Sequence, residues 1–364
     1  MNELESLLIL NNFPYIGSVK ARFLIDYFGS AKNVLEAPIE AVGALPGFGP
    51  KILQNWKKTL EGQAWKQDLL LAERLQTDLI AYTDSRYPKQ LLKIADFPLI
   101  LYLRGELLPE DSRSIAVVGT RQASIYGLEM AEQISLRLAQ LGFTVVSGLA
   151  RGVDTAAHRG ALAGGRTLAV IGSGLASIYP VENISLAQAI AQKGALISEF
   201  PMQAAPEKHH FPRRNRLVSG MTMGTLLVEA PQKSGAMLTA ANALDQGRQL
   251  FALPGRADLF SFGGNHALIK TRKAELIESA EEIAAYFGQP LHPSSPAPSS
   301  DVRGLLGSEE LHLLQQMPRQ EISIDEMVEK ISLPAAKLSG LLMGLVLKKM
   351  VKEYPGKIYK KLIE

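Results

Sequence analysis

From Ser114 onward the chain repeats one pattern: a short apolar run, a segment with helical spacing, then another apolar run. This alternation constrains the fold more than any other feature. Strands covered by helices on both faces are apolar throughout rather than at every second residue, so the pattern predicts βαβ units and a parallel sheet. The predicted strands are SIAVVG (114–119), FTVVSG (143–148), TLAVIGSG (167–174), ALISEF (195–200), TLLVEA (225–230), QLFALPG (249–255) and AELIES (274–279). Between the first two, Met130, Ile134, Leu138 and Leu141 recur at helical spacing, and Gly142 closes the helix. LIAYTD and PLILYLRG, between residues 78 and 108, add a strand or two ahead of this series. The expected fold class is α/β, a doubly wound and mostly parallel sheet.

In such a sheet, ligands sit beyond the carboxyl ends of the strands, where loops enter helix N-termini. The turns there are built alike: Gly119-Thr120-Arg121, Ser147-Gly148 with Arg151 and Gly152, Gly172-Ser173-Gly174, Lys233-Ser234-Gly235, and Pro254-Gly255-Arg256. Glycine and serine leave main-chain amides uncovered at the positive end of a helix, and arginine adds a clamp suited to phosphate oxygens. Neither G-x-G-x-x-G nor G-x-x-x-x-G-K-[ST] occurs, which excludes the usual dinucleotide crossing and P-loop ATP hydrolysis.

The segment HHFPRRNRLVSG (209–220) concentrates charge in the same region. Pro212 suits the first turn of a helix, which gathers Arg213, Arg214, Asn215 and Arg216 at its start. Cations there oppose the helix dipole, so an anionic ligand is expected to offset them, with Glu199 and Glu207 neutralising part of the charge. At least one of the arginines is expected in a buried ion pair. The adjacent His209 and His210 read as part of the anion surface or a loop rather than as zinc ligands.

The flanks differ from the sheet. The first 75 residues read as short helices with an internal repeat, FPYIGSVK and LPGFGPK, in which Pro14, Ile16 and Gly17 match Pro46, Phe48 and Gly49. This is a helix-hairpin-helix, or SAM-like, pattern, although Tyr15 stands where glycine is usual. Its sheet-bearing neighbour is expected over 76–288. A Pro/Ser-rich linker, extended and mobile, comes next over 289–301, and then a tail over 302–364 of three helices and a hairpin, a winged-helix layout. Seven lysines against two glutamates after Leu333 suggest duplex binding. The third tail helix instead shows Leu338, Leu341, Leu342, Leu345 and Val346, so a protein-contact or stabilising module is favoured over a sequence reader.

Lysine and arginine outnumber aspartate and glutamate by only 39 to 36, so basic function must come from local clustering. The absence of cysteine removes disulfides, thiolate nucleophiles and cysteine-held zinc. An acidic N-terminus without a basic leader, and no apolar run long enough to span a bilayer, place the expected protein in the cytoplasm with no membrane partner.

Taken together, VVGTRQASIYG, SGLARGVDTAAH, VIGSGLASIYPVEN, FPRRNRLVSG, SGAMLTA and LPG…GGNHALI resemble the DNA-processing protein A (DprA, or Smf) family, over roughly Tyr82 to Glu282. The resemblance implies an extended Rossmann-like domain that binds single-stranded DNA without ATP, metal or other cofactor. It also implies a homodimer that loads the RecA recombinase onto incoming strands during natural transformation, and no enzyme activity. By motif, Arg121, Ser147, Gly148, Gly152, Arg213 to Arg216, Lys233, Ser234 and Gly235 would line the strand-binding pocket. Ala176 and Val181 depart from the family, which often has aspartate at the first position and sometimes lysine at the second. Tyr126, Tyr179 and Phe211 flank the proposed track and read as core more than as stacking platforms. Binding is therefore expected to be backbone-led, weakly sequence-dependent and salt-sensitive.

The competing reading is a nucleotide-processing enzyme of phosphoribohydrolase type, because GMTMGTLLVEA is similar to P-G-G-x-G-T-x-x-E. Proline and the paired glycines are missing, however, and Glu229 follows Thr225 by four residues instead of three. That spacing turns Glu229 to the other face of a strand and makes it structural. No acidic and histidine cluster has the spacing of a two-metal nuclease site.

Overall fold

The computed structural model describes residues 1–288, 306–318, 320–331, 333–348 and 350–362. It divides into two compact units, Met1–Leu291 and His292–Glu364. The expected linker, 289–301, lies outside the described residues.

The chain begins with six helices, α1 (Glu3–Asn11), α2 (Ser18–Phe28), α3 (Ala31–Glu36), α4 (Ile39–Gly43), α5 (Pro50–Glu61) and α6 (Ala64–Arg74). The two repeat copies have matching turns. Tyr15 and Gly47 both take positive φ, 66° and 86°, and Gly17 and Gly49 cap α2 and α5 from an extended conformation. Tyr15 thus occupies a left-handed position that glycine holds in the second copy, a conformation costing a side-chain-bearing residue on the order of 1 kcal/mol or more.

These helices pack directly on the sheet layer. Leu7, Phe13, Leu24 and Trp56 share one buried cluster with Tyr102, Ala169, Leu196 and Met202 of that layer. Asp68 of α6 fastens the junction, accepting one hydrogen bond from the Tyr102 hydroxyl and another from the Met202 amide at 2.7 Å. Burial raises the Asp68 carboxyl above its ordinary range.

The sheet has nine strands: β1 (Asp78–Ala81), β2 (Ile100–Gly105), β3 (Ser114–Val118), β4 (Thr144–Ser147), β5 (Thr167–Val170), β6 (Ala195–Ser198), β7 (Gly224–Leu227), β8 (Gln249–Ala252) and β9 (Glu275–Leu276). Their order is β1-β2-β6-β5-β4-β3-β7-β8-β9. β3 to β9 are parallel to one another, while β2 runs antiparallel to both β1 and β6. Every apolar run read from the sequence contains a strand, but most ladders end earlier than the run. The leftover residues are turns, such as Gly172 to Gly174.

Seven helices cover the faces: α7 (Ile125–Gln140), α8 (Val153–Gly164), α9 (Ile184–Lys193), α10 (His210–Gly220), α11 (Gly235–Asp245), α12 (Gly263–Lys270) and α13 (Ala280–Tyr286). α7 and α8 approach so closely that a Cβ at Gly160 or Gly164 would overlap the main-chain carbonyls of Glu132 or Leu136. Beside that contact, His158 is fully buried, with Nδ1 2.7 Å from the Thr167 hydroxyl. That hydroxyl donates to the Val145 carbonyl at 2.7 Å, so it accepts from His158, which fixes the Nδ1–H tautomer. Burial, then the charge of Arg214, pushes the imidazole down to about 3.

The second unit holds α14 (Ser308–Gln316), β10 (Ile322–Ser323), α15 (Ile324–Ile331), α16 (Ala335–Leu347), β11 (Val351–Tyr354) and β12 (Ile358–Lys361), with a sheet of order β10-β12-β11. Leu338, Leu342 and Leu345 of α16 lie in its core. Among the described residues no single helix is long and apolar enough to cross a membrane.

The α7–α8 layer carries two expected outcomes. Gly160→Ala pushes a methyl group into main chain that cannot rotate away, so urea denaturation is expected to show a loss of about 1–3 kcal/mol. The His158 imidazole is depressed in the folded state, so its contribution is complete above its ordinary value of 6.5 and is lost as pH falls toward about 3. The unfolding free energy of His158→Gln is therefore expected to fall less than that of the wild type between about pH 7 and about pH 5, by about 2 kcal/mol.

Candidate nucleic-acid interface

The strand order places the site. β3 lies between β4 and β7, and this is where connections reverse direction across the sheet, leaving a crevice at the carboxyl ends. A cleft of about 920 Å³ opens there. Its walls are the turns after β3 and β4, the N-terminus of α11, and the start of α10, which crosses over from the β6 side.

Gly119, Thr120 and Arg121 enter the cleft from the first turn. Gly119 has no room for a Cβ, which would overlap Val153, and the Thr120 amide is held by the Glu229 carbonyl at 2.7 Å. This anchoring leaves Arg121 exposed at the rim, its guanidinium 5.0 Å from the centre of the Phe211 ring. Among the described residues Arg121 has no carboxylate partner. Phe211 packs against Tyr179, ring centres 6.0 Å apart. Both rings are half-buried and line the cleft, so they offer stacking surface where the sequence favours a core role.

From the second turn come Gly148 and Arg151. Asp154, at the start of α8, accepts hydrogen bonds from the Gly148 and Ala150 amides at 3.1 and 3.3 Å. Gly152, at φ 73°, abuts Thr120 and Arg121 and allows the two turns to touch. Arg151 is paired on the surface with Glu182, so an incoming anion competes with a carboxylate for it. Ser234 and Gly235 line the far wall, where the Ser234 hydroxyl caps α11 by accepting from the Met237 amide. Asn215 donates to the Gly235 carbonyl at 3.2 Å and ties that wall to α10.

The three arginines of α10 separate. Arg214 is 3% exposed and forms the cleft floor. Its Nη1 donates to the carbonyls of Gly148 and Val170, and its Nε to the Asn215 side chain. A Cβ at Gly148 would overlap this guanidinium and force it to shift. Burial pushes Arg214 down to about 10, opposed by Asp154 and reinforced by Arg121, and burial raises Asp154 against the pull of Arg214. Arg213 and Arg216 lie outside the cleft lining. Arg216 reaches Glu199 at 2.5 Å and Asp96 at 3.1 Å, and Arg213 reaches Glu199 at 3.4 Å. Glu199 is therefore the buried acid that neutralises part of the cluster, whereas Glu207 stands beside His209 at 3.3 Å.

Other expected contributors are not brought to the cleft. Ser147 donates to the Val117 carbonyl within the sheet. Gly172, Ser173 and Gly174 are buried; Gly172 packs on Phe211, and Gly174 on the carbonyls of Pro201 and Met202. Lys233 is exposed outside the lining, and Arg256 pairs with Asp258 at 2.6 Å. For the turns after β5 and β8 the physical reason is lateral distance. β5 and β8 lie two strands from β3, about 10 Å away, so their turns open elsewhere. Tyr126 is drawn to the β8 side, donating to the Pro254 carbonyl.

Gln122, Asp154 and Lys208 line the cleft and were not singled out from the sequence. Asp154 carries a legible signal, an acid in the first turn of a helix preceded by glycine; Lys208, a lone lysine in an irregular loop, carries none. Glu229 is fully buried, and its carboxylate accepts from the amide and hydroxyl of Ser124 at the start of α7. It lies outside the cleft lining, past the end of β7.

The family model for DNA recombination-mediator protein A matches residues 78–288. Protein Smf of Escherichia coli K12 is 37% identical over 300 residues, covering 80% of this chain and 79% of its own length. DNA processing protein DprA of Bacillus subtilis is 39% identical over 207 residues, 56% of this chain and 69% of its own. The X-ray structure of DprA from Streptococcus pneumoniae is similar with a TM-score of 0.66 at 30% identity, over 80% of this chain and 99% of that one. A DprA structure from Helicobacter pylori, described for its single-stranded DNA binding mode, gives 0.53 at 30% identity over 58% and 95%. Since the match runs from the first strand of the nine-stranded sheet through the last helix that covers it, the chain belongs to the DNA recombination-mediator protein A family.

Proposed function

We propose that the cleft at β3 binds single-stranded DNA and that the chain acts as a recombination mediator rather than as an enzyme. The observation that carries this reading is the convergence in one cleft of Arg121, free of any described carboxylate, with the Phe211 and Tyr179 rings and the main chain at the start of α11. Guanidinium and amide groups suit phosphate oxygens, and aromatic faces suit unpaired bases, whose stacking adds about 1–3 kcal/mol each. The single-stranded DNA binding mode described for the Helicobacter pylori relative supports the same assignment. Arg214 and Asp154 serve as the floor that fixes the walls, and Arg121, Lys208 and Arg151 supply the charge at the rim.

The finer reading extends to partners. Membership of a recombination-mediator family supports a cytoplasmic homodimer that holds incoming strands and loads the RecA recombinase onto them during natural transformation. On this reading residues 1–75 form a helix-hairpin-helix head, 76–288 the DNA-binding domain, and 302–364 a winged-helix module. The module's three helices and three-stranded sheet support that layout. Burial of the α16 leucines in its core supports a role in protein contact or stability rather than base reading.

Fluorescence anisotropy with an oligothymidylate, without ATP or magnesium, tests the cleft. Wild type is expected to bind with a log K versus log salt slope of about −0.7 for each phosphate engaged. Arg121→Ala is expected to weaken binding about tenfold and reduce the slope by about one such unit. Glu182→Gln, which frees Arg151, is expected to tighten it. Equal affinity of all three proteins would show that the strand binds elsewhere. A second assay follows RecA assembly on strands coated with single-strand-binding protein. The wild type is expected to accelerate it and Arg121→Ala to do so far less; strand binding without acceleration would remove the mediator role and leave the cleft assignment standing.

A further inference from the structure

We propose that Glu207, His209 and His210, in the loop that enters α10, form a site for a borderline divalent metal ion such as Zn²⁺, Co²⁺ or Ni²⁺. One ligand atom from each side chain lies within 4.8 Å of the other two, and His209 Nδ1 stands 3.3 Å from a Glu207 carboxylate oxygen. A tetrahedral ion bound at about 2.0–2.1 Å holds its ligand atoms about 3.3–3.5 Å apart, a spacing the His209–Glu207 pair already has, so His210 completes the set by drawing in by up to about 1.5 Å.

The second observation is that His210 is already held as a ligand would be. Its ring stacks on Phe200, centroids 4.0 Å apart at 25°, and its Nδ1 lies 3.0 Å from the Ala205 carbonyl. An imidazole that donates Nδ1–H to a main-chain carbonyl keeps its lone pair on Nε2, the tautomer and orientation that outer hydrogen bonds impose on metal-bound histidines. The loop itself is pinned, with the Glu207 amide donating to Ala205 at 2.9 Å and the His210 amide to Glu207 at 3.0 Å.

Two nitrogens and one carboxylate oxygen select zinc-like ions over calcium and magnesium, which prefer oxygen alone. Lys208 and Arg213 oppose a cation here, and the Glu207 carboxylate offsets part of that repulsion. Read from the sequence, the two histidines are a pair in a basic segment; the fold turns the Glu207 carboxylate toward them and adds the Phe200 and Ala205 supports. The neighbours Pro206, Lys208 and Phe211 line the cleft. If the DNA reading holds, the open coordination position at this rim suits a phosphate oxygen.

The test uses the full-length, tag-free chain after chelator treatment and without DNA, titrated with Zn²⁺ by calorimetry and with Co²⁺ by visible absorption. One saturable equivalent is expected, with the cobalt bands of a nitrogen–oxygen ligand set. Glu207→Gln and His209→Ala, both at exposed positions, are expected to weaken binding at least tenfold. No saturable binding, or binding that both substitutions leave unchanged, overturns the site. Repeating the zinc titration with a saturating oligothymidylate is expected to show tighter binding, because coupling between two ligands is reciprocal. An unchanged zinc affinity there overturns only the phosphate contact, and the DNA-free titration stands whatever becomes of the strand-binding cleft.

Discussion

The guanidinium of Arg214 lies under the cleft with almost no solvent exposure, donating to the main chain at the ends of β4 and β5 and to Asn215 on its own helix. A charge in such a place is tolerated only when its donors are satisfied and an opposite charge is close, here that of Asp154. Asp154 in turn holds the Gly148 and Ala150 amides. One arginine and one aspartate therefore fix the β4 turn, the start of α8 and the start of α10 against one another, and the walls inherit their positions from that pair. The glycine at 148 is a consequence of the same contact, since any side chain there would displace the guanidinium.

Around this floor, cations divide into those that support and those that remain available. Arg216 and Arg213 are committed to Glu199, and Arg256 to Asp258. Among the described residues Arg121 is held by its proximity to the face of Phe211, a contact that orients a guanidinium without neutralising it. The cluster of like charge that looks in the sequence like one anion site is thus mostly a frame for the fold, with Arg214 buried and Arg213 and Arg216 paired to Glu199, whereas Arg121, which an anion can reach at the cleft, comes from a different turn.

Much of the fold is legible in advance. The parallel strands come from continuous apolar runs, and the matching turns of the helical head follow the Pro-x-apolar-Gly repeat, although the left-handed conformation is taken by Tyr15 in the first copy, where the pattern wants glycine. The site is legible only in part, because a sequence shows which turns carry glycine and arginine but not which turns are neighbours. The Gly172 to Gly174 and Gly255-Arg256 turns have the same chemistry as Gly119 to Arg121, yet they open away from the cleft because β5 and β8 are two strands from β3.

Residue type and spacing alone determined the α/β class, the series of strands and the family resemblance. All of these depend on local periodicity and on motifs contiguous in the chain. Tertiary structure decided which of the arginines at 213, 214 and 216 is buried, which is paired and which partners it takes, and it brought Lys208 and Asp154 to the cleft. Those outcomes turn on distances between segments far apart in sequence and on the burial of each guanidinium, and both are set by strand order and helix packing rather than by the residues' own chemistry.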